Sequence, residues 1–297
     1  LNYFNGNWAN EFNMYEVFLQ PGKMVLESRE GVRTTQKTNP SFMLSLNDKM
    51  KEDSGTVIGG ALAWPGNWEI DFNVNDTQKL TIQAGINPYA SNYVLSPAQV
   101  FKTPSFIYTY TTKGSGEITR RFHKWARKYG IKKGTGDRDV LINNWETTGM
   151  DFDEQKLLGL IKQGGDLGFD IFLLDDGWFG NKYPRNDDKA GLGDWEVNKK
   201  KLPRGLNYLI NESKKNNLKF GLWVEPEMVN PKSELYEKHP DWVLNAPHRV
   251  PDLQRNQLIL DLANPKVQQH IVAMLEKILS GNKGISYLKW DCNRYLT

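Results

Sequence analysis

The stretch IFLLDDGW, residues 171–178, decides how this chain is to be read. Four apolar residues run straight into two carboxylates and a glycine. A short, continuous apolar run fits a strand buried on both faces. Three further segments share the plan: VLINNWE (140–146), FGLWVEPEM (220–228) and ISYLKWDCN (285–293). Each ends in polar or charged residues: Asn144 and Glu146, Asp175 and Asp176, Glu225 and Glu227, Asp291 and Asn293. Between them lie helical patterns near 153–163, 203–216 and 265–280. The last is marked by Asn264 as N-cap, Pro265 in the first turn, an apolar stripe of Val267, Ile271, Met274, Leu275 and Ile278, and Gly281 behind it. Strand–helix alternation with apolar strands predicts a parallel sheet. Polar residues gathered at the C-terminal strand ends predict a (β/α)8 TIM barrel, whose chemistry sits on that face. A doubly wound sheet would gather them there too, but it usually carries a Gly-rich phosphate loop after its first strand, and NNWETTGMDF is not one.

Upstream the period changes. Trp68, Ile70, Phe72 and Val74 alternate with Glu69, Asp71, Asn73 and Asn75, a period of two. KMVLES, KLTIQAG and SFIYTYTT repeat the theme between turn-like Gly, Pro, Asn and Asp clusters, which predicts an antiparallel β-sandwich over 1–116. Residues 117–137 read as a linker: a helix with Ile118, Phe122, Trp125, Ala126 and Tyr129 on one face, stopped at Gly130, then the polar KKGTGDR. The barrel pattern fills 138–297. Only four of its strands are visible, so the chain is expected to be a piece of a longer polypeptide holding the first half of the barrel.

Bulk properties narrow the function classes. The formal charge is +3 and basic residues are scattered, so no nucleic-acid partner is indicated. No stretch approaches the roughly 20 apolar residues of a membrane span, and LNYFNGNWANEF lacks the marks of a signal peptide. Compartment stays open. A single cysteine, Cys292, excludes an internal disulfide and a Cys-built metal site; four scattered histidines point to no metal and no cofactor. Ten tryptophans suit sugar faces as well as cores. Assembly with further copies also stays open, because Trp64 and Trp68, taken as exposed on the sandwich, could serve a neighbouring subunit as easily as a core.

The segment KWDCNR carries the sharpest chemistry. On a strand, Lys289, Asp291 and Asn293 share one face, and such groups do not point into a barrel for apolar packing. The lysine favours an anionic aspartate, as a nucleophile requires; a buried Lys–Asp pair closing the barrel would give the same pattern. Asp175 and Asp176 can reach one ligand only if the chain turns, which Gly177 permits; with no His or Cys nearby, a clamp on sugar hydroxyls is the better reading. LGDW (192–195) adds another Asp and Trp on a loop. Glu225 could be an acid by position, whereas Arg255, in the polar loop DLQRNQ, reads from the residues alone as a solvated arginine.

Taken in order, NNWE, DDGWFG with LGDW, GLWVEPEMV followed by HPDW, RNQLILDL with a Pro-led helix, and KWDCNR together resemble glycoside hydrolase family 36, the retaining α-galactosidases of bacterial type. NPSF near residue 39, GINPYASNYVLSPAQVFKTPS and GEITRRFHKWAR resemble that family's β-supersandwich domain, so the likeness covers the whole chain. It implies hydrolysis of terminal α-galactosyl residues by double displacement, without a metal. At matching positions Asp291 resembles the nucleophile. Asp175 and Asp176 resemble the pair on the galactose hydroxyls, and Lys289 and Asn293 resemble further ligands. Trp145 and Trp223 look like pocket walls, and Arg255 resembles the arginine that reaches the sugar. Glu225 is not the acid in this family. Cys292 departs from the Met of many relatives, and the family's acid/base aspartate falls in a later barrel segment.

Within the fold, an α-N-acetylgalactosaminidase or a raffinose-synthase-like galactosyl transferase remain alternatives. Outside it stand a non-catalytic galactoside-binding protein and, remotely, a metal-dependent hydrolase whose activity a chelator would abolish. A retaining glycosidase needs a second carboxyl about 5–5.5 Å from the nucleophile. Residues 1–297 expressed alone are therefore expected to show no turnover of an aryl α-galactoside, and measurable release of the aryl group would overturn this.

Overall fold

Alternation of period two shapes the first part of the chain. The computed structural model describes residues 1–31, 37–46, 48–251 and 253–294, so Asp252 and the last three residues of the 138–297 assignment lie outside the described residues. The chain divides into two compact units, Leu1–Gly136 and Asp137–Arg294. The described strands of the first are β1 (Asn2–Asn7), β2 (Asn10–Glu16), β3 (Gly22–Ser28), β4 (Thr38–Ser45), β5 (Val57–Ala63), β6 (Trp68–Val74), β7 (Leu80–Ile86) and β8 (Ser105–Thr111). They form two antiparallel sheets, β2-β1-β4-β5-β8 and β3-β6-β7. Between the sheets lie Leu26, Phe42, Leu44, Leu62, Trp68, Ile70 and Phe72. Phe42 of one sheet meets Phe72 of the other edge-to-face, centroids 4.8 Å apart.

The β6 alternation corrects one expectation. Trp68 is not exposed: the same parity that turns Ile70 and Phe72 inward turns Trp68 with them, and all three are fully buried. Trp64 is half-buried. Asp71, on the polar parity, is also buried, and Lys23 from the neighbouring strand reaches its carboxylate at 2.6 Å.

Helix α1 (Gly114–Trp125) starts four residues before Ile118 and continues to Gly130 in a wider turn, in which the Ile131 N–H donates to the Ala126 carbonyl at 2.9 Å. It packs on β5 and β8 of its own unit. Of the apolar stripe read for this helix only Ile118 is fully buried, while Trp125 and Tyr129 stay exposed. The reason for the close seat is Gly59 of β5, where a Cβ would stand 2.3 Å from Ile118 Cγ2 and 2.8 Å from Phe122 Cε2.

In the second unit β9 (Leu141–Asn143), β10 (Ile171–Leu174), β11 (Lys219–Val224) and β14 (Ile285–Trp290) make one sheet, ordered β14-β11-β10-β9 and parallel throughout. A two-stranded antiparallel ladder, β12 (Met228–Val229) with β13 (Leu258–Ile259), forms beyond β11. Short α2 (Trp145–Thr148) follows β9, and then α3 (Glu154–Asp166), α4 (Gly205–Lys215) and α6 (Pro265–Gly281) occupy the three intervals where helices are expected; α5 (Glu234–Lys238) is a short addition. The caps follow the sequence: Asp153 accepts from the Lys156 N–H, Ser233 from Tyr236 and Asn264 from Lys266. Phe172, Leu174, Phe220 and Leu222 fill the core with Leu157, Ile161, Leu206 and Leu209 from the helices.

Replacing Gly59 by alanine should destabilise the first unit by about 1–3 kcal/mol, because the added methyl must displace Ile118 or the helix. An unchanged urea midpoint for that unit would contradict the close seat.

Candidate active site

Three strand ends meet at Asp175. Its Oδ2 accepts from Lys289 Nζ at 2.9 Å and from Asn143 Nδ2 at 2.6 Å, while its backbone N–H donates to Asn144 Oδ1 at 2.8 Å. Lys289 is the next-to-last residue of β14, Asn143 closes β9, and Asp175 follows β10, so the parallel register itself brings them together. Asn143 also fixes the next side chain along, since its Oδ1 accepts from the backbone N–H of the half-buried Trp145 at 2.7 Å.

Asp291 stands beside this knot. Its backbone N–H donates to the Val224 carbonyl at 3.0 Å, which keeps it in register with β11 just beyond the end of β14. Its Oδ2 accepts from Trp223 Nε1 at 3.0 Å and lies 3.7 Å from Lys289 Nζ. One ammonium thus serves two carboxylates. Burial alone would weaken the hold of Lys289 on its proton; the hydrogen bond and charge of Asp175, then the charge of Asp291, outweigh that, and its pKa rises above the ordinary lysine value. Trp223 is buried, parallel to Phe179 at 6.2 Å and against Trp195 at 6.1 Å, and Trp178 Nε1 donates to its carbonyl. It offers Asp291 an indole N–H.

Asp175 and Asp176 part company at the turn. Gly177 has φ of 104°, and a Cβ there would stand 3.1 Å from Met150 Cβ, so glycine is required as expected. Asp176 turns to Arg185, which grips it with Nε at 3.0 Å from Oδ1 and Nη2 at 2.8 Å from Oδ2. Both side chains are buried. Burial pushes the Asp176 carboxyl above its usual range, and Arg185 offsets only part of that rise. Arg185 was not among the residues singled out in the sequence. The available signal was indirect: a carboxylate predicted at a buried strand end needs a cation, and YPRNDD supplies one nine residues on.

Arg255 sits at the centre of a tight turn in which the Gln257 N–H donates to the Gln254 carbonyl; it and Asn256 have φ of 53° and 57°. Such angles suit Asn or Gly, and in an arginine they cost on the order of 1–2 kcal/mol. Its Nη2 pairs with Asp188 Oδ1 at 3.0 Å. It is not a freely solvated loop side chain. Asn293 lies past the end of β14, so strand alternation does not place it; its backbone N–H donates to Glu225 Oε1 at 3.1 Å. Glu225 is fully buried at the end of β11. Beside it Glu227 accepts from Trp290 Nε1 at 2.6 Å. Although Cys292 is exposed, partial desolvation of its thiol and the nearby Glu227 carboxylate push the thiol pKa up. Asp194 of LGDW caps α5, accepting from the Glu234 and Leu235 N–H groups at 2.9 and 3.1 Å. Among the described residues no group of three or more His, Cys, Asp or Glu is arranged to hold a metal ion, and no helix is long and apolar enough to cross a membrane.

Residues 100–297 match the family model described as Melibiase, and residues 1–96 match the glycosyl hydrolase family 36 N-terminal domain. The chain belongs to glycoside hydrolase family 36. It is 40% identical to α-galactosidase 2 of Hypocrea jecorina over 299 residues, covering 97% of this chain and 40% of that protein. Among solved structures it is similar to the family 36 α-galactosidase AgaA of Geobacillus stearothermophilus, with TM-score 0.94, 36% identity, and coverage of 100% of this chain and 41% of that one. Variants of AgaA have been crystallised with 1-deoxygalactonojirimycin, stachyose and raffinose. The chain spans about 40% of the length of these relatives. As a family 36 chain it has the expected architecture, an antiparallel sandwich followed by a parallel sheet that is part of a barrel.

Within this family 36 sheet Glu225 gives a stability test. Burial first, then the charge of Glu227, pushes its carboxyl up to about 8, against the pull of Arg255. A raised carboxyl holds its proton in the folded state at pH values where the unfolded chain has lost it. Stability therefore falls as pH rises from the ordinary glutamate range through about 8. Glu225→Gln copies the neutral form, so its urea midpoint should fall less than that of the parent between pH 5 and pH 9. Parallel curves for the two proteins would contradict the assignment.

Proposed function

We propose that this chain carries the sugar-binding side of a retaining α-galactosidase centre, with Asp291 as its nucleophile. The observation that carries the reading is the Asp291 carboxylate itself, aimed by the Trp223 N–H and flanked by the ammonium of Lys289. Both contacts fall on Oδ2, which makes Oδ1 the attacking oxygen. In the first displacement Oδ1 bonds to the anomeric carbon while the aglycone oxygen leaves, protonated by a second carboxylic acid. In the second, that group, now a carboxylate, takes a proton from water, whose oxygen displaces Asp291 and restores the original anomer. The family resemblance implies an acid/base aspartate in a later barrel segment.

The remaining roles are those that the family resemblance implies at matching positions, and the contacts described above support them. Asp175, held by Lys289 and Asn143, and Asp176, held by Arg185, bind vicinal hydroxyls of the galactosyl ring. Lys289 joins that clamp to the nucleophile, and Trp145 lines the pocket. Arg255 reaches the sugar from its strained turn, a conformation of the kind that collects at ligand sites. Asn293, fixed through its backbone by Glu225, completes the set. The raffinose and stachyose complexes of AgaA support an α-galactoside oligosaccharide as the substrate class.

The test is covalent. A 2-fluoro galactosyl inhibitor applied to the full-length polypeptide should leave a glycosyl adduct on the peptide bearing Asp291, and Asp291→Asn should lower kcat by at least about a thousandfold. An adduct on another carboxylate, or a variant that keeps parental turnover, would sink the assignment.

A further inference from the structure

The proposed clamp and the proposed sugar arginine come from distant parts of the sequence, yet a continuous set of hydrogen bonds joins them. Arg185 is fully buried. Beyond its fork on Asp176, its Nη2 lies 3.1 Å from Asp188 Oδ1, and its Nη1 donates to Asn230 Oδ1 at 3.1 Å and to the Ala190 carbonyl at 3.3 Å. Asp188 Oδ1 also accepts from Arg255 Nη2 at 3.0 Å, so one oxygen is shared by two guanidinium groups. Asn230 runs a second, parallel connection. Its Oδ1 accepts from Arg185 and from the Leu192 N–H, and its Nδ2 donates to the carbonyls of Asp188 at 2.9 Å and Asn256 at 2.7 Å. The strained pair Arg255–Asn256 is therefore tied at both residues to the arginine that holds Asp176. Lys201 pins the same loop from behind, donating to the carbonyls of Met150, Gly177 and Arg185 at 2.8, 3.0 and 3.1 Å.

We propose that Arg185 is a positioning residue for sugar binding, and that Asp188 and Asn230 couple it to Arg255, so that Asp176 and Arg255 act on the ligand as one unit. The proposal rests on the galactoside reading given above for the roles of Asp176 and Arg255. The physical reasons are two. The guanidinium fork takes two of the roughly four acceptor positions of the Asp176 carboxylate and fixes the direction of the others. The shared Asp188 oxygen offsets the repulsion of two nearby guanidiniums, so removing its charge frees Arg255 to leave the turn that aims it.

The test uses the full-length polypeptide, an aryl α-galactoside for kinetics and 1-deoxygalactonojirimycin for affinity. Asp188→Asn is the informative variant because its side chain is partly exposed and nearly isosteric, whereas Arg185→Lys keeps a charge but loses the fork. Asp188→Asn should weaken inhibitor affinity by about tenfold and raise KM in step, with kcat changed less than about threefold. In an Arg255→Ala background the same substitution should cost less than about twofold, because its effect runs through Arg255. Arg185→Lys should lose affinity at least as severely while keeping a cooperative thermal transition. Losses that multiply in the double variant, or an Asp188→Asn protein with parental affinity, would overturn the coupling. Asp291→Asn separates the two readings: if it keeps turnover while the Asp188–Arg255 coupling in affinity persists, the nucleophile assignment falls and the positioning role stands.

Discussion

Charges at the mouth of a parallel sheet have to be satisfied by one another, and this constraint organises the second unit. The strands are apolar on both faces until they end, and there Asp175, Asp176 and Glu225 are buried within a few residues. Burying a carboxylate without a partner costs several kcal/mol. The sheet meets that cost in three different ways. Asp175 receives Lys289 across the sheet, Asp176 receives Arg185 from the following loop, and Glu225 holds a proton instead. Each solution commits a loop. The 177–198 segment has to fold back so that Arg185 can reach Asp176, and the chain after β14 has to close over Glu225 so that the Asn293 N–H can meet it.

Much of this was legible beforehand, for reasons that differ from residue to residue. The four barrel strands and three long helices follow from apolar runs and caps, because period and capping chemistry are local. The meeting of Lys289 with Asp291 follows from their spacing of two, and the turn after Asp176 follows from Gly177. Arg185 was missed because the contact depends on how a twenty-residue loop returns, and nothing in YPRNDD distinguishes a buried arginine from an exposed one. Trp68 was misplaced by treating it apart from its own alternation. Arg255 looked solvated because the groups that hold its turn, Asp188 on its side chain and Asn230 on the carbonyl of Asn256, come from other parts of the chain. In each case the missing information was tertiary.

The two residues of β12 show how a small element can serve a large surface. Met228 and Val229 pair with Ile259 and Leu258, and this short ladder delivers Asn230 on one side and the Arg255 turn on the other. Apolar packing of Val229, Leu258 and Leu260 against Trp242, Val267 and Ile271 holds the ladder on α6. A satellite core under a loop thus sets where an arginine points.

Trp223 has a comparable double allegiance, and it bears on how such a site can change over time. Its indole lies parallel to Phe179 and tilted against Trp195, yet the same ring orients the oxygen of Asp291. Any substitution that alters the volume of that aromatic stack also rotates the N–H on which the carboxylate leans. Packing within the stack and the orientation of the Asp291 carboxylate are then a single variable.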